Sequence, residues 1–241
     1  MNCDELIREL KSLGSEKYKA NVVKLGIPEA CSLGVSTGEV RKLAKTVKKS
    51  NDLAYELWQT GYHEARLLAV LIFDPKTLPL NDAGALMEDV ISWDLCDHLC
   101  KNLLIKMKGY ETLIGPWCAS EKTYVKRAAF TLMASAAVHE KALPEDAVDT
   151  YFGLIRQYSD DDREHVKKAV SWALRELGKM DTAHQHKAIE LAQSLRDGGS
   201  KVQVWIARDA LKELEKLVKV EGRGRLIAAD SKMGKEAVEA K

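Results

Sequence analysis

The 241-residue chain has little of several residue types, and each shortage excludes a class of protein. Five prolines and few alternating β-branched runs leave little sequence for β-sheets. Five cysteines without a Cys-x-x-Cys pair argue against a disulfide-stapled secreted domain. Apolar runs stay well below the roughly 18 residues of a membrane span. Basic and acidic residues nearly cancel, 37 against 36, so a nucleic-acid surface would require local clustering of basic side chains.

The same shortage extends to sites for metals and cofactors. The sequence has no closed zinc pattern, no glycine-rich phosphate loop and no Gly-x-Ser-x-Gly turn. Cys96, His98 and Cys100 are close in sequence, but on a helix they point in different directions. We therefore expect neither a metal nor a cofactor. Asp4 and Glu5 stand where a signal peptide would be apolar, which favours a reduced cytoplasmic protein.

Apolar residues recur at helical spacing along most of the chain, and helix start signals divide it into about a dozen short helices. The helices also resemble one another. VKRAA at residues 125–129 is similar to VKKAV at 166–170, 41 residues later, and ALREL at 173–177 is similar to ALKEL at 210–214, 37 residues later. A period near 40 in a helical chain is typical of HEAT and armadillo repeats.

The repeat predicts an all-α fold, a right-handed superhelical solenoid of HEAT/armadillo-like paired helices with a concave face. The alternative is an irregular helical bundle. We assign residues 1–220 to a single repeat domain. Residues 221–241 begin with a Gly- and Arg-rich stretch and are predicted to form a flexible C-terminal tail.

A tryptophan and a carboxylate, Trp93 and Asp97, lie one helical turn apart and therefore share a face of the predicted helix. That face borders the apolar stripe, so both side chains can meet core and solvent. Such a pair can line a ligand site, or it can be an ordinary helix start. Asp94 is most simply explained by its favourable interaction with the dipole at the helix N-terminus.

Basic residues recur on the non-core face of successive helices. Lys168, Trp172 and Arg175 lie opposite the apolar stripe of one helix. Arg127 occupies the position equivalent to Lys168 in the preceding repeat, and Arg66 continues the row. Such a row would form a cationic trough suited to a phosphate backbone, although a charged helix face is usually just solvated.

These residues resemble the AlkD-type DNA alkylation repair glycosylases, a family built from HEAT-like repeats. The resemblance runs from about residue 15 to 215 and rests on short motifs in matching order: Tyr18, residues 26–28 (Gly-Ile-Pro), Trp93-Asp94-x-x-Asp97, residues 125–127 (Val-Lys-Arg) and residues 172–176 (Trp-Ala-Leu-Arg-Glu). It implies that Asp97 is the catalytic carboxylate. It further implies that Trp93 and Trp172 line the substrate site and that Arg127 and Arg175 hold DNA phosphates. To the substrate-lining residues we add Tyr18, and to the DNA-backbone-binding residues we add Lys168, Lys126 and Arg66.

The resemblance implies hydrolysis of the N-glycosidic bond of cationic alkylated purines such as N3-methyladenine and N7-methylguanine, without extensive base flipping. A base that already carries positive charge leaves without protonation, so one carboxylate beside the oxocarbenium-like sugar can suffice. We expect a monomer that acts on double-stranded DNA, away from membranes. The alternatives are a non-catalytic binder of damaged or branched DNA and a repeat scaffold for a protein partner.

Overall fold

The computed structural model describes residues 1–24, 26–140 and 142–239. Within these ranges the chain is almost entirely helical. Its α-helices are α1 (Cys3–Ser12), α2 (Glu16–Lys24), α3 (Thr37–Ala44), α4 (Asn51–Gln59), α5 (His63–Ile72), α6 (Leu80–Glu88), α7 (Trp93–Asn102), α8 (Ile114–Cys118), α9 (Thr123–His139), α10 (Glu145–Tyr158), α11 (Glu164–Gly178), α12 (Thr182–Gly198), α13 (Lys201–Leu214) and α14 (Lys232–Glu239). Short 3-10 helices cover Glu29–Cys31, Leu104–Lys106 and Tyr110–Leu113. Strands β1 (Leu217–Val218) and β2 (Ile227–Ala228) pair antiparallel, with Leu217 opposite Ala228.

The chain divides into two compact units, Met1–Tyr110 and Glu111–Lys241, called here the first and second units. In the first unit α5 is central, since α4, α3 and α7 all pack against it. Each of these helices contributes fully buried apolar side chains, such as Leu57 on α4, Leu68 on α5 and Leu99 on α7. Burial of each such side chain contributes roughly 1.5–3 kcal/mol relative to exposure.

The second unit consists of helix pairs in which α9, α11 and α13 lie side by side and α8, α10 and α12 pack against them. The three neighbouring helices begin at Thr123, Glu164 and Lys201, which are 41 and 37 residues apart (164 − 123 and 201 − 164). These are the offsets found in the sequence. The prediction of an all-α fold of HEAT/armadillo-like paired helices is therefore confirmed.

The last two long helices of the second unit, α12 and α13, begin at side-chain caps. Asp181 accepts a hydrogen bond from the His184 amide and caps α12. Ser200 and Gln203 form a reciprocal capping box at the start of α13, which satisfies two otherwise unpaired amides. In the first unit Ser92 occupies the N-cap position of α7, but its buried hydroxyl makes no hydrogen bond within the described residues.

The segment after α13 is hydrogen-bonded to the second unit. Arg225 donates to the carbonyls of Ala137 and Glu176, and the Leu226 amide donates to the Lys179 carbonyl at 2.9 Å. The flexibility expected of residues 221–241 stays a prediction, to which the structure adds these anchoring contacts in the part it describes. None of the helices among the described residues has the length and apolar composition that crossing a membrane requires.

Candidate functional site

Trp93 and Asp97 line one small depression in the first unit, called here the α7 depression. Its volume is about 240 Å³. Both side chains are half-buried, as expected for residues at the border of an apolar stripe. The lining residues come from α3, α5 and α7: Thr37, Arg41, Leu67, Trp93, Asp94, Asp97, His98, Lys101 and Asn102. The i, i+4 spacing thus places the aromatic ring and the carboxylate at the same concavity.

The α7 depression combines two carboxylates, Asp94 and Asp97, with two cations, Arg41 and Lys101. Arg41 is exposed and its Nη2 donates to Asn102 Oδ1 at 3.4 Å, which links α3 to α7 beside the carboxylates. Positive groups at the rim and negative groups inside suit a ligand that has both a phosphate backbone and a cationic centre.

The positive charge continues along and beyond α3. Lys45 and Lys48 are exposed and form no ion pair among the described residues. Lys49 donates to the carbonyls of Leu71 and Phe73 at 2.7 and 2.8 Å. Burial lowers the pKa of Lys49, and the nearby Lys106 ammonium lowers it further, against the opposing charge of Asp74.

Asp94, which the sequence left as a helix-start residue, has a specific partner. The His63 Nε2–H group donates to Asp94 Oδ2 at 2.8 Å. Burial raises the pKa of Asp94, but the hydrogen bond and charge of His63 outweigh it, so the pKa lies below its usual range. The other oxygen, Oδ1, is buried and accepts no hydrogen bond within the described part of the chain. Asp94 is therefore an ionised carboxylate in the same depression as Asp97.

His98 has a positioning role in the α7 depression. It is buried, and its Nε2 lies 3.1 Å from the Leu67 carbonyl oxygen. Its Nδ1 lies 3.2 Å from the side-chain Nδ2 of Asn102. Burial and the Arg41 charge lower its pKa to about 4, so the ring is neutral at physiological pH. A neutral ring that donates from Nε2 and accepts at Nδ1 satisfies both contacts and fixes Asn102, the partner of Arg41.

Cys96, His98 and Cys100 are not expected from the sequence to form a metal site, and the structure describes their surroundings. Across residues 1–24, 26–140 and 142–239, no group of three His, Cys, Asp or Glu side chains is placed to hold a metal ion. Cys96 and Cys100 are fully buried in the core of the first unit.

Tyr18 lines a second depression of the first unit, about 330 Å³ in volume. Helix α3 borders both depressions, since Ser36 and Glu39 line the one at Tyr18 while Thr37 and Arg41 line the α7 depression. The substrate-lining role of Tyr18 stays a prediction, but its position places it next to the helix that carries Arg41.

The loop before α3 is fixed by a buried carboxylate, Glu64 on α5. Its oxygens accept hydrogen bonds from the amides of Leu33, Gly34 and Val35 at 2.8, 2.8 and 3.2 Å. The Ser32 hydroxyl donates at 3.1 Å. Glu64 is fully buried, so these bonds replace all of its hydration. The position of α3, and therefore of both depressions, depends on this contact.

In the second unit, Lys126 and Arg127 are engaged within the protein. Lys126 pairs with Asp161 at 2.9 Å and lies over the Tyr158 ring at 5.0 Å from its centre. Arg127 is only 7 % exposed and donates from Nη1 to the His165 carbonyl at 2.7 Å. Their predicted contact with DNA phosphates would require these side chains to exchange partners.

The other predicted basic residues also have partners. Lys168 is exposed and pairs with Glu164 at 2.8 Å. Arg175 donates from Nη1 to Glu213 at 2.7 Å, and its Nε lies 3.8 Å from Asp209. It lines a depression of about 340 Å³ in the second unit, called here the Arg175 depression.

Arg66 lies against its own unit. Its guanidinium stacks over Trp58 at 5.1 Å and donates to the Trp58 and Asp89 carbonyls. Trp172, the other predicted substrate-lining residue, is half-buried on α11. The roles assigned to these residues stay predictions.

Comparisons with known proteins give one matching family model and two similar solved structures. The family model described as DNA alkylation repair enzyme matches residues 6–214. A solved structure, from a family described as related to the HEAT-like repeat DNA glycosylases with affinity for branched DNA structures, aligns at 22 % identity and a TM-score of 0.74, covering 100 % of this chain and 95 % of that one. A designed armadillo repeat protein aligns at 14 % identity and a TM-score of 0.34, covering 82 % of this chain and 99 % of that one. No curated protein matches. Because the family model spans most of its length, the chain belongs to the DNA alkylation repair enzyme family.

Proposed function

We propose that the protein is a DNA glycosylase that hydrolyses the N-glycosidic bond of cationic alkylated purines in double-stranded DNA, with Asp97 as the catalytic carboxylate. We further propose that it acts as a monomer in the cytoplasm. One observation supports the site above all others, namely that Trp93 and Asp97 share the α7 depression with the cations Arg41 and Lys101.

The proposed reaction needs few groups. The bond between C1′ and the purine nitrogen breaks, and its electron pair neutralises the cationic base. The sugar becomes oxocarbenium-like, and the Asp97 carboxylate stabilises that charge. A water oxygen then bonds to C1′ and its proton passes to the carboxylate and on to solvent. The electron-rich face of Trp93 adds stabilisation of the same positive charge.

The α7 depression is small, which supports a mechanism in which the target base is not flipped into a pocket. Its volume of about 240 Å³ lies below the roughly 300–1,000 Å³ typical of small-molecule pockets. A glycosylase that extrudes its target needs a pocket for the whole nucleotide. The depression instead suits a sugar approached from the side of the duplex, with phosphates on the cations of α3 and α7.

The proposal is tested by measuring release of N7-methylguanine from methylated duplex DNA by chromatography. We expect release by the unaltered protein and a loss of at least about 100-fold in Asp97→Asn, because the oxocarbenium loses its counter-charge. Asp52→Asn, which removes an exposed carboxylate on α4, is the matched control and should leave the rate unchanged. Absence of release on N3- and N7-alkylated substrates would contradict the enzymatic proposal.

The second candidate is a non-catalytic binder of branched DNA. The ion pairs of Lys126 with Asp161 and of Arg175 with Glu213 occupy two of the cations that the glycosylase proposal would use to hold the duplex. A relative of the same fold is described as having affinity for branched DNA structures. Tight, salt-dependent binding of a four-way junction, without release of any alkylated base, would favour this candidate over the glycosylase.

A further inference from the structure

One face of α13 carries cations and an exposed tryptophan. Its members follow one another at intervals of four, three, four and four residues, which keeps them on one side of a helix. All of them are exposed. We call the set the α13 stripe, and it consists of Lys201, Trp205, Arg208, Lys212 and, just beyond the helix end, Lys216. From the first to the fourth member the stripe is roughly 16 Å long.

Two acids of α13 contact α11. Asp209 accepts a hydrogen bond from the Ser171 hydroxyl at 2.6 Å. Glu213 pairs with Arg175 at 2.7 Å and with Lys179 at 2.6 Å. Both acids line the Arg175 depression together with Lys212 and Lys216, whereas the earlier members of the stripe are not among its lining residues.

The cations of the stripe carry no compensating charge. Lys201, Arg208 and Lys212 form no ion pair with any described residue. Lys187 on α12 shows the contrast, since it contacts both Glu145 and Asp149, at 2.5 and 2.9 Å. Clustered cations without partners repel one another, and the arrangement becomes favourable when a polyanion binds.

Trp205 is 36 % exposed, whereas Trp58 in the first unit is fully buried. The Lys167 ammonium of α11, which is paired with Glu164 at 2.5 Å, lies 4.9 Å from the centre of the Trp205 ring. A large aromatic side chain normally seeks burial, so one left in solvent among cations needs a use. Aromatic rings beside Lys and Arg form the surfaces on which proteins stack unpaired bases.

We propose that the α13 stripe binds an unpaired DNA strand, with Trp205 stacking on a base and Lys201, Arg208 and Lys212 holding phosphates. In a duplex the faces of the bases are covered by their neighbours, so a tryptophan on a helix surface reaches one only where the strand is unpaired. The stripe also leads into the Arg175 depression, which Lys212 and Lys216 help to line. The inference rests on the protein acting on DNA, and it holds whether or not a base is excised.

The first test is fluorescence anisotropy with a labelled duplex that carries a single-stranded arm of about ten nucleotides, compared with the blunt duplex. We expect Trp205→Ala to weaken binding of the armed duplex about tenfold, because base stacking is lost, with little change for the blunt duplex. Trp205→Phe keeps a ring and should recover most of the affinity. Trp205 is a surface residue, and thermal unfolding of both variants confirms that they are folded.

The second test separates phosphate contacts from stacking by salt dependence. Each lysine or arginine that contacts a single-strand phosphate contributes about 0.7 to the slope of log affinity against log salt. The triple variant Lys201→Gln, Arg208→Gln, Lys212→Gln should therefore reduce the slope by about 2. Trp205→Ala should leave the slope unchanged. Lys232→Gln with Lys235→Gln, two exposed lysines on α14, is the control and should leave affinity and slope unchanged.

Three results would overturn the inference. The first is a triple variant whose slope of log affinity against log salt is unchanged. The second is a Trp205→Ala variant that loses the same affinity for the blunt duplex as for the armed duplex, and the third is a stripe that binds anionic lipid vesicles in place of DNA. The Asp97→Asn variant separates this inference from the glycosylase proposal. It should lose base release and still bind the armed duplex with unchanged affinity.

Discussion

The two units use their acidic side chains in different ways. In the first unit the buried Glu64 holds main-chain amides, and Asp94 holds a histidine. Lys45 and Lys48 there keep no acidic partner within the described residues. In the second unit acids neutralise several cations on neighbouring helices, as Glu213 does for Arg175, whereas the cations of the α13 stripe keep no acidic partner among the described residues. A basic residue on a repeat helix therefore becomes a candidate for phosphate binding only after its partner on the next helix is known.

The largest effect should come from the buried acid of the first unit. Glu64→Ala removes the shared acceptor of three main-chain amides. It leaves those of Leu33 and Val35 without another acceptor among the described residues, since only the Gly34 amide also donates to the Ser32 hydroxyl. We expect a loss of about 3 kcal/mol in the free energy of unfolding. Urea denaturation measures it, with Glu56→Ala on the exposed face of α4 as the control. A loss below that of the control would show that the loop before α3 is held by other contacts.

The corresponding acid of the second unit should matter somewhat less. Asp161 accepts from Arg163 at 2.6 Å and pairs with Lys126 at 2.9 Å, and these contacts lower its pKa against the opposing effect of burial. We expect Asp161→Asn to cost about 2 kcal/mol in urea denaturation, since charge-assisted hydrogen bonds are lost. The neighbouring exposed Asp162→Asn is the matched control. Equal stability of the two variants would contradict the structural role of Asp161.

A third change should free a cation of the second unit from its acidic partner. Glu213→Gln removes the carboxylate that Arg175 contacts, so the guanidinium can approach a phosphate more easily. We expect duplex DNA affinity to rise roughly two- to fivefold at low salt, as measured by anisotropy. Glu215→Gln removes an exposed charge from just beyond the same helix and controls for net charge. The same rise in both variants would exclude a specific role for Arg175.

A fourth effect should depend on pH and disappear in the acid range. The pKa of Asp94 is lowered in the folded protein, so its stabilising effect is present above the unfolded value of about 3.9 and is lost as pH falls through the folded value. We expect Asp94→Asn to reduce stability by about 1 kcal/mol at neutral pH and to converge with the unaltered protein once the pH has fallen below the lowered pKa of Asp94 in the folded state. Unfolding curves between pH 2 and pH 7 measure this, and a constant difference across the range would contradict the pairing with His63.

Much of the fold follows from the sequence because the repeat is visible in it. The 41- and 37-residue offsets locate α9, α11 and α13, and the i, i+4 spacing places Trp93 with Asp97. Partners on neighbouring helices could not be seen in this way, because a helical face says nothing about the next helix. His165 and Glu213 lie 38 residues beyond the arginines that they bind.

Two other features have a spacing that is visible in the sequence, but the sequence alone does not establish them. His63 lies 31 residues before Asp94, close to the spacing between the starts of α5 and α7. The dipole at a helix N-terminus accounts for an acid in the first turn, so the sequence alone gives no reason to expect a histidine partner for Asp94. The members of the α13 stripe share a helix face by their spacing, but the sequence does not show that this face is exposed.

Arg225 has a consequence for the end of the chain. Its guanidinium meets the carbonyls of Ala137 and Glu176, in the last turns of α9 and α11, where the helix dipoles concentrate negative charge. The residues after α13 thus act as an internal cap for two adjacent repeats, in the way that terminal repeats close other helical arrays. A chain shortened at residue 220 would keep every paired helix and lose the Arg225 guanidinium that joins the carboxyl ends of α9 and α11.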